Sequence, residues 1–256
     1  MSQEQISTNH NHGDHEDTAT GLNHRKMLMW AFLGSDCMFF GSLIATYLVY
    51  KGKSLVGPMP MDVFDIPVTS VSTFVLLMSS MSMVLAYAAL KRRNIKAFRI
   101  WMVSTAIMGA TFVGFQVYEF SSFANYHVHF ECSEIAQDID QEKLVKPAHE
   151  DLYQKQCLNP DGSVDSAHHV DEKVALKPQT NLFGTTFYTL TGFHGAHVTL
   201  GIVWLLSLFF LSFKKGVITP EKHLDVDLAA LYWHFVDVVW IVIFTVVYLF
   251  GVFPGF

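Results

Sequence analysis

Six ionisable side chains stand inside stretches that are otherwise almost wholly apolar: Asp36, Glu119, His194, His197, His234 and Asp237. Their types and spacing admit three kinds of chemistry. His194 and His197 are three residues apart, as are His234 and Asp237, so each pair shares one helix face. Three histidines and a carboxylate would suit zinc or copper. The same groups could instead close hydrogen bonds between helices. Two nearby histidines on one helix recur without metal, which favours this second reading. Third, Asp36 could relay protons. It falls near the middle of its apolar segment, where a lone carboxylate should be protonated or hydrogen-bonded. Glu119 closes its own segment at an end where water is expected, with Gln116 one turn earlier on the same face. Gly192 and Gly195 lie beside the histidines, and small residues let a neighbouring helix approach closely. An ionisable residue in a spanning helix costs at least ~2.5 kcal/mol and should face protein rather than lipid. His234 and Asp237 therefore mark a polar seam for a partner. No nucleophile elbow, phosphate loop or HExxH motif occurs.

Five apolar segments must position these groups, roughly 26–50, 68–90, 98–120, 183–213 and 228–253. Each is long enough to cross a hydrocarbon core of about 30 Å, and the longer ones should tilt. The chain of 256 residues is 51% hydrophobic with mean hydropathy +0.29, a membrane composition. It gives no expectation of a nucleic-acid partner. The fold class expected is all-α: five transmembrane helices in a bundle, with an insert at 121–182. Lys and Arg set the orientation. Arg25, Lys26, Lys91, Arg92, Arg93, Lys96, Arg99, Lys214, Lys215 and Lys222 fall on one side, Lys51 and Lys53 in the one short loop opposite. The tail 1–25 is then cytoplasmic, and the insert and the C-terminus are outside. The tail has no signal-peptide h-region. Its His10, His12 and His15 among Asn, Asp and Glu read as a disordered segment, with metal scavenging the sharper alternative. Gly57, Pro58, Pro60 and Pro67 make the first outer loop extended and turn-rich.

The insert holds eleven acids from Glu131 to Glu172 against five lysines. Such a lobe or loop either is simply solvated or attracts a basic electron carrier. Cys132 and Cys157 both lie in it, where oxidation is permitted, and a disulfide there would close a loop worth about 3 kcal/mol. The rival is a metal site adding His127 and His129, but HxHxxC matches no standard zinc spacing. Cys37 reads as a small packed side chain in the first helix. Without a CxxCH motif, no covalent c-type haem is expected.

Several stretches, taken in order, resemble subunit III of the haem-copper oxidases. They are MWAFLGSDCMFFGSLIATY from Met29, PVTSVSTFVLLMSS from Pro67, GFQVYEF from Gly114, FGTTFYTLTGFHGAHVTLGIVWLL from Phe183 and LYWHFVDVVWIVIFTVVYLFG from Leu231. TGFHGAHV and WHFVDVVW are the most specific. The SDC triplet and GPMPMDVFDIP resemble the quinol-oxidase branch, whereas TGFHGAHV looks closer to the cytochrome c branch. The five-helix form is similar to bacterial versions lacking two helices of the mitochondrial type. The resemblance implies an accessory chain with no haem or copper of its own, those being held by partner subunits I and II. It implies a chain that flanks the catalytic subunit, stabilises it through turnover, supports proton and oxygen access, and binds phospholipid in a cleft. Lys214 and His223 are expected at the cytoplasmic rim of that cleft, with Trp233 and Trp240 along it. Asp36 and Asp227 stand where glutamates are common in the family, so the carboxylates are kept but shortened. Ala88 and Ala89 stand where some members have histidines, and the long insert is outside the common pattern. Two other functions compete. One is the related subunit of a nitric oxide reductase assembly. The other is an independent transporter using Asp36 and the histidines, which would need a broken helix or an inverted repeat, and neither is visible.

Overall fold

Capping residues set the helix boundaries about a turn beyond the apolar segments. The structure, a computed structural model, describes residues 23–50, 53, 60–140, 147–159, 163–165, 168–214, 218–219 and 223–252, and not the side chains of 61, 134, 147 and 148. The histidine tail, Gly57 and Pro58, Lys51, Lys215 and Lys222 lie outside the described residues. Five helices are long and apolar enough to cross a membrane. The first is α1 (His24–Tyr50), followed by the short α2 (Pro60–Val63) and by α3 (Ile66–Lys91), with Pro67 in the first turn where its missing N–H costs nothing. Then comes α4 (Ile95–Ala124), capped by the Asn94 side chain, which accepts from the Ala97 N–H at 3.1 Å.

A lobe follows. It contains β1 (His127–Glu131), α5 (Cys132–Asp140), α6 (Pro147–Leu152), which runs into a π-turn at Tyr153–Cys157, and β2 (His169–Lys173). The bundle resumes with α7 (Leu182–Leu211), capped by Asn181, which accepts from the Gly184 N–H at 2.7 Å. The last span is α8 (Leu224–Ile243), continued by a π-turn, Phe244–Leu249, and by α9 (Phe250–Val252). α8 starts a turn earlier than hydropathy suggests because Asp225 and Asp227 suit a helix N-terminus and are paired. Arg25 meets Asp225 at 3.3 Å and Lys26 meets Asp227 at 2.8 Å. The shortened carboxylate of Asp227 thus still reaches a lysine, and the start of α1 is tied to the start of α8.

α8 packs against α3, α7 and α1, while α3 and α4, α4 and α7, and α7 and α1 are neighbours. The core is large and aromatic, with Trp233, Trp240, Tyr47 and Tyr248 almost wholly buried. α1 is the least covered span, with Leu28, Trp30 and Met38 exposed. Cys37 is exposed there as well, which corrects the expectation of a packed thiol: it points away from the bundle.

Among the described residues, the departure from all-α is in the lobe. β1 and β2 form an antiparallel ladder from His127 opposite Lys173 to Glu131 opposite His169. Alternation puts Val128, Phe130 and Val170 inward, against Ile135, Leu152 and Tyr153. A disulfide joins Cys132 and Cys157 in that small core, with Cα atoms 5.6 Å apart. Leu176, whose N–H donates to the Phe123 carbonyl and whose own carbonyl accepts from the Tyr188 hydroxyl, seats the lobe on the bundle. Burial and the neighbouring Asp62 carboxylate raise the Tyr126 phenol above its usual range at this junction.

Candidate functional site: a polar seam inside the bundle

The seam begins on α3, where Thr69, Ser72, Thr73, Ser79 and Ser82 are buried at three- and four-residue spacing. Two tryptophans of α8 use this row. The Trp233 indole N–H donates to Ser79 Oγ at 3.0 Å, and that of Trp240 donates to Thr73 Oγ1 at 2.9 Å. Each hydroxyl spends its own proton on its helix backbone, Ser79 on Leu76 O and Thr73 on Thr69 O, so donors and acceptors balance. Trp233 is seated against Gly109 of α4. A β-carbon at Gly109 would lie 2.5 Å from the indole, so only glycine admits it. Trp233 and Trp240 were expected along a lipid cleft. They are 2% and 1% exposed and face helices, not lipid, because the α3 hydroxyls supply the partners their N–H groups need.

Glu119 and Gln116 lie deeper than the sequence suggested. Glu119 is only 7% exposed, since α4 runs on past it to Ala124. Its carboxyl group accepts from the Tyr248 hydroxyl at 3.1 Å on one oxygen and meets the Thr69 hydroxyl on the other. Tyr248 belongs to the π-turn of the last span, and the Tyr47 hydroxyl donates to the Val247 carbonyl beside it at 3.4 Å. A π-turn displaces the helical ladder and leaves carbonyls for such outside donors. The Gln116 amide donates to the Thr191 carbonyl of α7 at 2.7 Å, and Gly195 leaves room for it.

The histidines separate rather than converge. His194 is fully buried between Phe112 and Trp240, its ring centre 4.8 Å from the indole. Its Nε2–H donates to the Val236 carbonyl at 3.2 Å, because a carbonyl can only accept; Nδ1 has no partner among the described residues. His197 turns the other way, toward α1. Its Nδ1–H donates to the Phe193 carbonyl at 2.7 Å, and its Nε2 lies 3.4 Å from Asp36 Oδ2. Asp36 therefore has a partner on another helix, which spacing along the chain could not show. The contact is long for a hydrogen bond. His234 and Asp237 stay on α8. Asp237 is buried beside Ser80 of α3, yet neither its Oδ1 nor the Ser80 hydroxyl closes a bond of ordinary geometry. Among the described residues, no three His, Cys, Asp or Glu side chains gather as metal ligands would, in the bundle or in the lobe.

At the bundle end that carries the α3–α4 turn, His223 precedes α8, its Nε2 3.0 Å from the Lys91 ammonium, which donates to it, and its ring against Tyr87. Lys214 is exposed just beyond α7. The residues that sequence reasoning missed are Thr69, Thr73, Ser79, Ser80, Tyr47 and Tyr248. The helical repeat of Ser and Thr through PVTSVSTFVLLMSSMS was the available signal for most of them.

The comparisons agree with this architecture. The family described as Cytochrome c oxidase subunit III matches residues 173–252, which span the end of β2, α7 and the last span. The chain is 33% identical to a Cytochrome c oxidase subunit 3 of Alkalihalophilus pseudofirmus, over 93% of each chain. It is 34% identical to that of Bacillus sp. (strain PS3), over 92% of this chain and 91% of the other. It is 32% identical to the Quinol oxidase subunit 3 of Bacillus subtilis, over 87% of this chain and 85% of the other. With buried polar groups closing helix against helix and relatives of this identity along nearly its whole length, the chain belongs to the subunit III family of cytochrome c and quinol oxidases.

Proposed function

We propose that this chain is the accessory subunit III of an aerobic haem-copper oxidase, the complex that reduces oxygen to water with proton pumping. Subunits I and II hold the haem and copper, and this chain flanks and stabilises them. The carrying observation is how the seam spends its polar groups. Trp233, Trp240, Gln116, Glu119, Tyr248 and His194 all bond between helices, which builds a wall rather than a reaction centre. The Asp36–His197 pair lies between α1 and α7 with its side chains 13% and 17% exposed, less closed in than His194, so it is the part of the seam that could support proton access in a neighbour. In the assembled complex, helices of subunit I stand against the uncovered face of α1 and fill the place of the two helices that the five-helix form lacks. The basic loops lie in the cytoplasm and the lobe outside, where its acids attract a basic electron carrier. Phospholipid occupies the remaining membrane-facing surface. Cytochrome c is the donor in this reading, and quinol is the alternative, since relatives of both names match about equally.

The test is to compare turnover of the intact and subunit-depleted oxidase from the first seconds to many minutes. Unchanged haem content, a modest fall in initial rate and faster inactivation are expected. Complete loss at the first turnover with haems intact would place this subunit in the chemistry and overturn the reading. A dinuclear-copper motif in the partner subunit II decides between cytochrome c and quinol.

A further inference from the structure

Three of the cations at the bundle's basic end are paired within the chain. Arg25 and Lys26 meet Asp225 and Asp227, and Lys91 meets His223. Lys96 and Arg99, on the first turns of α4, do not meet a carboxylate among the described residues. Arg99 is held rigidly. Its Nε donates to Ser212 Oγ at 3.0 Å and its Nη2 to the Ser212 carbonyl, where it closes the C-terminal end of α7. Its guanidinium lies over the Phe213 ring, 4.2 Å from the centre. These bonds employ Nε and Nη2, so the remaining edge of the fork is left for an anion.

Below these two cations runs a groove between α4 and α7, walled by Ile100, Val103, Phe209 and Phe213, with a volume of about 560 Å³. It is apolar along its length and basic only at its mouth. The mouth lies where α4 begins and α7 ends, at the level of the bundle end, and the walls lie within the two spans. A free inorganic anion would use the mouth and leave the walls bare. An uncharged lipid would fill the walls and leave two cations unpaired, and a zwitterionic one would bring a cation of its own beside them. We infer that this groove is a binding site for one anionic glycerophospholipid, its phosphate between Lys96 and Arg99 and an acyl chain along Ile100, Val103 and Phe209. The inference deepens the lipid part of the proposed function and moves it from Lys214, His223 and the tryptophans to the α4–α7 groove. It rests on the membrane placement of these helices and not on the identity of the electron donor.

The whole oxidase complex, purified and reconstituted in nanodiscs of phosphatidylglycerol and phosphatidylcholine in equal amounts, tests it. Retained lipid is counted by native mass spectrometry during stepwise delipidation. Lys96→Gln should weaken retention of one phosphatidylglycerol about fivefold and leave phosphatidylcholine unchanged. Val103→Trp, which fills the groove, should remove that lipid altogether, and Lys214→Gln, just outside it, should not. Arg99 is left alone because it closes α7. Equal phosphatidylglycerol retention in wild type, Lys96→Gln and Val103→Trp would overturn the proposal. So would displacement of the lipid by millimolar inorganic phosphate, or capture of a partner-subunit helix by a cross-linker at Val103→Cys in the intact complex. Haem content and turnover are read on the same samples. If no haem-bearing partner co-purifies, the oxidase reading fails. If it does and lipid retention is unmoved, only the groove fails.

Discussion

Single residues in the seam are constrained by space as much as by hydrogen bonds. Gly109→Ala would drive a methyl group into the Trp233 indole, whose N–H is already committed to Ser79. Overpacking of this kind costs about 1–3 kcal/mol. The expected result is a lower thermal midpoint for the detergent-solubilised complex with haem spectra unchanged. Tyr248→Phe removes a donor from a buried carboxyl group and should cost about 1–3 kcal/mol by the same measurement. Retention of the wild-type midpoint in Tyr248→Phe would mean that the Tyr248 bond adds nothing to what Thr69 already supplies to Glu119. The ionisable residues of the seam were legible in the sequence because charge inside an apolar run is conspicuous. Their partners were not. Asp36 and His197 meet only through the packing of α1 on α7, and no local pattern encodes that contact. The tryptophans were misplaced for a different reason. Indoles favour membrane interfaces when nothing inside bonds their N–H, and the α3 hydroxyls that do so were read only as part of an apolar segment.

At the scale of elements, two features outside the bundle core can be tested by themselves. The turn between α3 and α4 closes with Arg93 at φ 60, its N–H donating to Leu90 O while that of Asn94 donates to Ala89 O. This is the helix-ending motif that glycine usually serves. Arg93→Gly should relieve about 1 kcal/mol of backbone strain and raise the midpoint of thermal unfolding; an unchanged or lower midpoint would show that the arginine side chain contributes as much as its backbone costs. In the lobe, Cys132→Ser with Cys157→Ser should destabilise the small core by about 3 kcal/mol, the cost expected for opening a loop of 25 residues. Limited proteolysis should then cut between β1 and β2 while the five spans stay intact. The spans themselves were legible from hydropathy, and their ends were misjudged by a few residues because Asn94, Asn181 and the paired Asp225 and Asp227 extend helices into polar sequence. The ladder of the lobe was hidden, since His, Glu and Asp on its outer face mask the alternation of Val128, Phe130 and Val170.

For the whole molecule, orientation is the first expectation to check. Protease added to intact spheroplasts should reach the lobe and spare the turn at Lys91–Arg93, in keeping with the excess of Lys and Arg on that side. Cleavage at the turn alone would invert the arrangement. The linkage of α1 to the last two spans has a further consequence, for biogenesis. Lys26 and Asp227 are 201 residues apart in the chain, and among the described residues α1 packs chiefly on α7 and α8. A ribosome adding about 5–20 residues per second leaves α1 waiting in the bilayer for about 10–40 seconds before Asp227 is made, with Asp36 unmatched until His197 arrives. During that interval the nascent first span carries a carboxylate without its partner, at a cost in the bilayer. A message cut short before α7 should therefore yield a product that membrane proteases clear quickly, whereas one carried through the end of α8 should persist: the last quarter of the chain acts as the quality check on the first.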